Sequence, residues 1–366
     1  MTTPVDREAP SRRRSTLAWI GGVLASLLVL GLIAAAFIRL PYVVVGPGRV
    51  TPLDADVLMI DGAPIYEHDG ELLFLSVNVT NANRRPNVYR VLQAWLDPTI
   101  DLEKEDDFYG EEPAEDHVAL NIRLMQQSQI AATTVALDAL GYDVSVTPAG
   151  GFVQAVATDG TAHGTLRLGD VITAVDGVGT STSQEVGDAI RSHEPGDELT
   201  MTVNRVDGFD GTRSEEVDVE IGERDGQPAV GILIADYVEE PPDVGVTIAL
   251  DTRRVTGPSA GLAFTLAIIA EMSPTDITGG HEVAATGTIA LDGRVGSVGG
   301  IKHKADAATR AGAALLLVPA DEVEEARKHA GPSLDVAGVE TIDDALAALV
   351  ALGGELPESD VDARAA

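Results

Sequence analysis

The sequence predicts a multidomain chain: a single transmembrane helix, a mainly-β domain, and an α/β (α+β) domain toward the C-terminus. Three observations predict it. Residues 17–38 carry no charge, residues 142–206 follow the hydrophobic period of strands, and residues 228–353 alternate strand-like with helix-like runs. The 366 residues are enough for two or three domains, each with its own core.

Leu17 to Ile38 reads LAWIGGVLASLLVLGLIAAAFI. At ~1.5 Å per residue, a helix of that length reaches the roughly 30 Å of a bilayer core. Arg12, Arg13 and Arg14 precede it, and only Arg39 and Arg49 follow before a long acidic region. The positive-inside rule then keeps the N-terminus cytoplasmic and puts everything after residue 40 outside, a single-pass arrangement in the cell membrane. A cleaved signal peptide ending near Ala34-Ala35-Ala36 is the alternative, although the apolar run exceeds the ~7–15 residues of a usual signal core. The expected organisation is a cytoplasmic segment 1–16, a span 17–38, an extracytoplasmic membrane-proximal region 41–140, domains at 141–222 and 228–353, and a flexible acidic tail 354–366.

Tyr42 to Gly48 reads as a strand ended by a turn, Leu72 to Val79 as a second strand, and Asn87 to Leu96 as a helix closed by Asp97-Pro98. Residues 101–117 are acidic and without period, as an exposed loop would be. Val118 to Leu140 places apolar residues at helical spacing and stops at Gly141. No chemistry is evident between residues 41 and 140. Beyond it, Tyr142 to Thr147, Gly151 to Ala157, Asp170 to Val175 and Leu199 to Val206 read as strands, with one helix from Ser183 to Ser192 among them. In the last domain Val230 to Ala235 and Val244 to Leu250 are strand-like, and Ser259 to Met272 is a nearly all-apolar, buried helix. His281 to Thr286 and Thr288 to Leu291 flank Gly287, Ala314 to Pro319 is a buried strand, and helices are expected at 304–311, 322–329 and 342–352.

Composition excludes several function classes. The net charge is -33, from 58 acidic against 25 basic residues, so polyanions are repelled and no nucleic-acid partner is expected. There is no cysteine, which removes disulfides, thiolate metal sites and a cysteine nucleophile. The seven histidines form no His-x-x-x-His or His-Glu-x-x-His pair, so no metal site and no cofactor are expected.

Two stretches carry chemistry. Thr256-Gly257-Pro258-Ser259-Ala260-Gly261 sets a serine among small residues at the start of a helix, and Gly299-Gly300-Ile301-Lys302-His303-Lys304 supplies amines. A hydroxyl needs a base to become a nucleophile, and free helix N-terminal amides suit the oxyanion formed on attack. A lysine serves as that base once apolar burial lowers its pKa. Ser259 also fits the Gly-x-Ser-x-Gly elbow, with His281, His303 and His329 following in the order that site requires, but the surrounding domain is too small for that fold's sheet. The bland alternative is that Ser259 only caps a helix.

Gly257-Pro258-Ser259-Ala260-Gly261, Thr286-Gly287-Thr288-Ile289-Ala290-Leu291-Asp292-Gly293-Arg294-Val295 and Gly299-Gly300-Ile301-Lys302-His303-Lys304 together resemble the proteolytic domain of the Lon family over most of residues 230–350. The resemblance implies Ser259 as nucleophile, Lys304 as base with Lys302 its neighbour, and Thr286 as the hydrogen-bond partner of the amine. Thr256 stands where the family usually has an aspartate, and the stretch from Ser259 to Thr286 is about two residues longer than usual. No Gly-x-x-x-x-Gly-Lys-Ser/Thr loop occurs, so neither ATP nor an ATPase module is expected. Ala149 to Val156 and Leu168-Gly169-Asp170-Val171-Ile172 resemble a PDZ domain of the bacterial protease type. That likeness implies a carboxylate-holding loop at Gly150 and Gly151, an edge strand from Phe152 for β-augmentation, and a pocket from Phe152, Val153, Val186 and Ile190, each of which could equally be an ordinary core residue.

An anchor, a PDZ module and a Lon-type domain in one chain are similar to the membrane-anchored PDZ-Lon proteases of Gram-positive bacteria. The expected function is an ATP-independent, membrane-anchored serine endopeptidase acting on extracytoplasmic protein or peptide substrates. Lon-type domains tend to form rings, so the resemblance allows a homo-oligomer, but the sequence does not settle the oligomeric state. The other class of function is a non-catalytic surface adaptor with a structural Lon-like domain; processing of the chain by itself alone is a third.

Overall fold

The computed structural model describes residues 12–55, 57–80, 85–110, 112–206, 211–251 and 257–357, with backbone only over 12–18. Thr256 and residues 358–366 of the expected tail therefore lie outside the described residues. The chain opens with helix α1, Arg12–Ala35, followed by strands β1, Tyr42–Pro52, β2, Leu58–Asp61, and β3, Glu71–Val79. Helix α2, Val88–Leu96, strand β4, Asp101–Lys104, and helices α3, Glu105–Tyr109, and α4, Ala114–Ala139, come next. Then follow β5, Pro148–Val156, β6, Val171–Val175, β7, Val178–Gly179, helix α5, Ser183–Arg191, β8, Glu198–Val206, and β9, Thr212–Glu220. Strands β10, Gly222–Arg224, β11, Gln227–Ala229, β12, Ile232–Val238, and β13, Thr247–Leu250, lead to helix α6, Gly261–Met272. The remainder is β14, Glu282–Ala285, β15, Thr288–Ile289, β16, Val295–Gly296, α7, Ile301–Ala311, β17, Leu315–Pro319, a 3-10 turn at Ala320–Glu322, α8, Val323–His329, β18, Asp335–Val339, and α9, Ile342–Leu352.

These elements form two compact units, one of residues up to Val45 together with Val79–Phe108, the other of Gly46–Asn78 with Tyr109 onward. In the smaller unit Tyr42 to Val45 of β1 pair antiparallel with β4. Asn87 caps α2 by accepting the Arg90 amide over 2.9 Å, which satisfies one of the free donors at the helix start. The acidic stretch expected to be a loop thus contains β4 and α3.

Among the described residues no helix is long and apolar enough to cross a membrane. This corrects the transmembrane helix, the membrane partner and the single-pass location in the cell membrane expected from residues 17–38. Helix α1 takes in Arg12, Arg13 and Arg14 at its start and ends at Ala35, where the Ala36 and Phe37 amides donate to the carbonyls of Ile33 and Ala34.

Among the described residues the larger unit holds two large sheets and three two-stranded ones. One runs β18-β17-β14-β3 and on to the part of β1 after residue 45, with β14 parallel to both β17 and β3 and β17 parallel to β18. Alternation along β3 serves two cores: Leu72 and Phe74 pack with α4, α6 and α9, whereas Leu73 and Leu75 pack with α7 and α8. The result is helices on both faces of a largely parallel sheet. β2 and β3, expected in a membrane-proximal region, belong here, as β2 pairs with β13 and the Phe74 ring sits 5.7 Å from that of Phe264. The second sheet has the order β12-β5-β6-β8-β9 and packs Val153, Ile172, Met201 and Val203 against Val186 and Ile190 of α5. Tyr142 to Thr147, expected as a strand, have no regular structure.

Candidate active site

Ser259 lies in a turn two residues ahead of α6, held from three directions. Ser128 Oγ on α4 donates to the Pro258 carbonyl over 3.0 Å, the Gly257 amide donates to the Asn121 carbonyl over 3.1 Å, and the Gly287 amide donates to the Ser259 carbonyl over 3.0 Å. In return the Leu262 amide donates to the Gly287 carbonyl over 3.1 Å, so the serine turn and the Thr286-Gly287 bend are stitched together. Small residues are required where they meet. A Cβ on Gly261 would lie 2.7 Å from Ser128 Oγ and 2.8 Å from Ile289 Cγ2.

Thr286 and Lys304 complete the arrangement. Lys304 Nζ donates to Thr286 Oγ1 over 2.9 Å, and that hydroxyl donates to the Ser259 carbonyl over 3.0 Å. Thr286 is fully buried, Lys304 is 1% exposed, and Ser259 is half-buried. Gly300 starts α7 in the left-handed region at φ 71°, where a side chain would be strained, and its carbonyl accepts the Lys304 amide. From this start the helical period puts Ile301, Lys304, Ala305 and Ala308 on the inward face, and Lys302 is only half-buried. Burial lowers the Lys304 pKa from 10.5 to about 8, with the charge of Glu322 opposing the shift. The three residues expected to act together are therefore joined by one chain of hydrogen bonds.

The six residues expected to form a peptide pocket are placed differently. Gly150 and Gly151 lie within β5, which is paired on one edge by β12 and on the other by β6, so the strand from Phe152 has no edge free for augmentation. The Gly150 amide donates to the Ser181 carbonyl over 2.9 Å, and a Cβ at Gly150 would lie 2.6 Å from the Ile172 carbonyl oxygen. Its glycine permits close strand approach. Val153, Val186 and Ile190 lie in the core of this domain, and Phe152 packs separately with Val171 and Tyr237 beside Leu120 and Leu124 of α4. Asp170, the acid of the Leu-x-x-Gly-Asp turn, is fully buried and accepts two hydrogen bonds from Arg205, at 2.8 and 2.7 Å. It is a structural ion pair. The strand with an open edge on this side of the sheet is β12, tied to the start of α5 where Ser183 N and Oγ both donate to Asp236 Oδ1.

Sequence reasoning passed over α4. The backbone carbonyl of Asn121 and the side chain of Ser128 fix the serine turn, and the Gln127 side chain exchanges two hydrogen bonds with the Val238 backbone at the end of β12. Ser128 and Gln127, polar residues within a largely apolar helix, were the available signal. Among the described residues no group of three or more acidic or histidine side chains is arranged to hold a metal ion.

A buried amine is held against a serine turn, and the comparisons with known proteins support the class of serine peptidase. Residues 242–352 match the family Lon protease (S16) C-terminal proteolytic domain, and residues 138–221 match the PDZ domain family. The chain thus carries a Lon proteolytic domain and a PDZ domain. It is 35% identical over 120 residues to Lon protease of Clostridioides difficile (strain 630), covering 32% of this chain and 15% of that protein. Lon protease of Phenylobacterium zucineum (strain HLK1) is 36% identical over 127 residues, 33% of this chain and 15% of that protein. This chain therefore spans about 15% of the length of these curated relatives. Among solved structures, the PDZ domain of the SdrC-like protein from Listeria innocua is 33% identical and covers 23% of this chain and 92% of that one, at a TM-score of 0.21.

Proposed function

We propose that the chain is a serine endopeptidase that works without ATP, with Ser259 as nucleophile, Lys304 as base and Thr286 as the group that orients the amine. The observation that carries this reading is the buried Lys304–Thr286–Ser259 chain of hydrogen bonds around an amine brought to about 8. At that value roughly a tenth of Lys304 is neutral at pH 7. The neutral amine takes the Ser259 proton as Oγ attacks the peptide carbonyl, and the ammonium then protonates the leaving amine as the C–N bond breaks. Water, deprotonated in turn by Lys304, releases the acyl group. The Gly261 and Leu262 amides are engaged with the Pro258 and Gly287 carbonyls. The oxyanion therefore falls to the Ser259 and Ala260 amides, which have no partner among the described residues. The absence of a phosphate-loop motif from the sequence supports a reaction that needs no nucleotide.

In this reading the PDZ domain recruits a protein or peptide segment along the open edge of β12 beside α5, by β-augmentation. The test is labelling by a fluorophosphonate probe together with cleavage of an unfolded protein in nucleotide-free buffer. Labelling and cleavage should both vanish in Ser259→Ala and persist in Lys302→Ala. An unlabelled wild-type protein would sink the reading in favour of a non-catalytic adaptor.

A further inference from the structure

The 3-10 turn after β17 meets the loop that leads into α7 through two consecutive carboxylates. Ser297 Oγ donates to Asp321 Oδ2 over 2.7 Å, and the Val298 amide donates to Glu322 Oε1 over 2.7 Å. The other carboxylate oxygen, Glu322 Oε2, is buried and has no hydrogen-bond partner among the described residues. A buried carboxylate oxygen left unsatisfied is costly unless a nearby positive charge compensates it. The same strand reaches the active site from its other side, since the Leu317 carbonyl accepts the Thr286 amide over 3.0 Å. β17 and its turn thus bring Glu322 toward the first turn of α7, where Lys304 sits.

We propose that Glu322 is a positioning residue for the base: its carboxylate is clamped by the Val298 amide beside the start of α7, and its buried second oxygen acts on the Lys304 amine through its charge, with no direct ion pair between them. The two charges interact, Glu322 favouring the ammonium form of Lys304 and Lys304 favouring the carboxylate form of Glu322, in each case against the larger effect of burial. The other titratable groups near the pair are Asp321 on the same turn and Lys302, His303 and Asp306 on α7. On α8 they are Glu324, Glu325, Arg327, Lys328 and His329, which are exposed or nearly so and pair among themselves. Of these, Asp321 acts on Glu322 and raises its pKa. Glu322 therefore sets how much of Lys304 is neutral at a given pH, and it keeps the pair from losing its proton too readily. This rests on the Ser259–Lys304 reading for its meaning in catalysis, but the interaction itself can be measured without turnover.

The experiment is a titration of the full chain, selectively labelled at lysine Cε with 13C and carrying Ser259→Ala, followed by NMR. The chain has only Lys104, Lys302, Lys304 and Lys328 to resolve. Glu322→Gln keeps an acceptor for the Val298 amide but removes the charge, so the Lys304 midpoint should fall by about one pH unit. Glu322→Asp keeps the charge and should leave the midpoint closer to that of the parent than Gln does. In otherwise wild-type protein, Glu322→Gln should move the acid limb of the cleavage profile down by the same amount, giving about fivefold more base form at pH 7. An unchanged or raised Lys304 midpoint in Glu322→Gln overturns the proposal. A lowered midpoint with no movement of the acid limb upholds the Glu322–Lys304 coupling and counts instead against Lys304 as the base.

Discussion

The proteolytic centre and the PDZ domain were both expected from short motifs rich in glycine and small residues, yet the structure uses the two motifs differently. Around Ser259 the small residues let two backbone turns meet and bring a buried hydroxyl and a buried amine into line. Around Gly150 they let strand β5 approach β6 and α5, and the apolar residues that follow fill cores. The difference is instructive. Burying an amine costs several kcal/mol unless it is neutralised or paired, so such a residue calls for an explanation, whereas burying Val153 or Ile190 is what folding does anyway.

The comparison breaks first at the base. Ser259→Ala and Lys304→Ala should each lower cleavage of an unfolded protein by about a thousandfold or more, the scale of loss when a nucleophile or its base is removed. Lys304→Met separates chemistry from packing: activity should vanish while thermal stability holds or rises. The sign follows from the depressed folded pKa. Between about 8 and 10.5 the unfolded chain binds a proton that the folded chain does not, so wild-type stability should climb with pH across that window. Lys304→Met should remove the climb, and below pH 8 it should stabilise by up to about 3 kcal/mol. Denaturant unfolding at pH 7 and pH 9.5 reads this directly. A loss of stability in Lys304→Met would mean that the amine is held for the fold.

Thr286→Val should keep the volume but take away the acceptor of Lys304 and the donor to the Ser259 carbonyl. We expect cleavage to fall about 10- to 100-fold, together with a loss of about 1–3 kcal/mol. The pH profile of the wild-type enzyme supplies the next test, since cleavage should rise with pH through a midpoint near 8 as Lys304 is deprotonated. A profile flat from pH 6 to pH 9 would remove lysine from the base's role.

The PDZ side predicts smaller effects on activity. Phe152→Ala should destabilise the chain by about 3–5 kcal/mol through lost packing, with unchanged selection among peptides by whatever protein remains folded. Leu233 on β12 is 59% exposed, so Leu233→Asp should leave stability within about 0.5 kcal/mol. It should raise KM for recruited substrates a few-fold at most, with kcat unchanged. The reverse pattern, with Phe152 altering selection and Leu233 altering neither, would return the peptide site to β5.

Much of this was legible in the chain itself. Ile342–Leu352 is helical over the residues expected, the apolar run before Met272 is a buried helix, and Leu315–Pro319 is a buried strand, because continuous or periodic apolar patterns report burial locally. Lys304 rather than Lys302 could also have been chosen from helical spacing, since Ile301, Lys304, Ala305 and Ala308 share a face. What the sequence could not reveal depends on pairing at long range. β3 joins β14 across some two hundred residues, and nothing within Glu71–Val79 announces that partner. β12 takes the outer edge of the PDZ sheet, which moves the free edge away from Phe152, and α4 reaches the Pro258 carbonyl from 130 residues away. Local residue pattern determined which segments are buried and which residues have the chemistry of a nucleophile and a base. Only the tertiary structure decided which edges are occupied and which hydroxyl meets the Lys304 amine, because each of these is a contact between residues that the chain keeps apart.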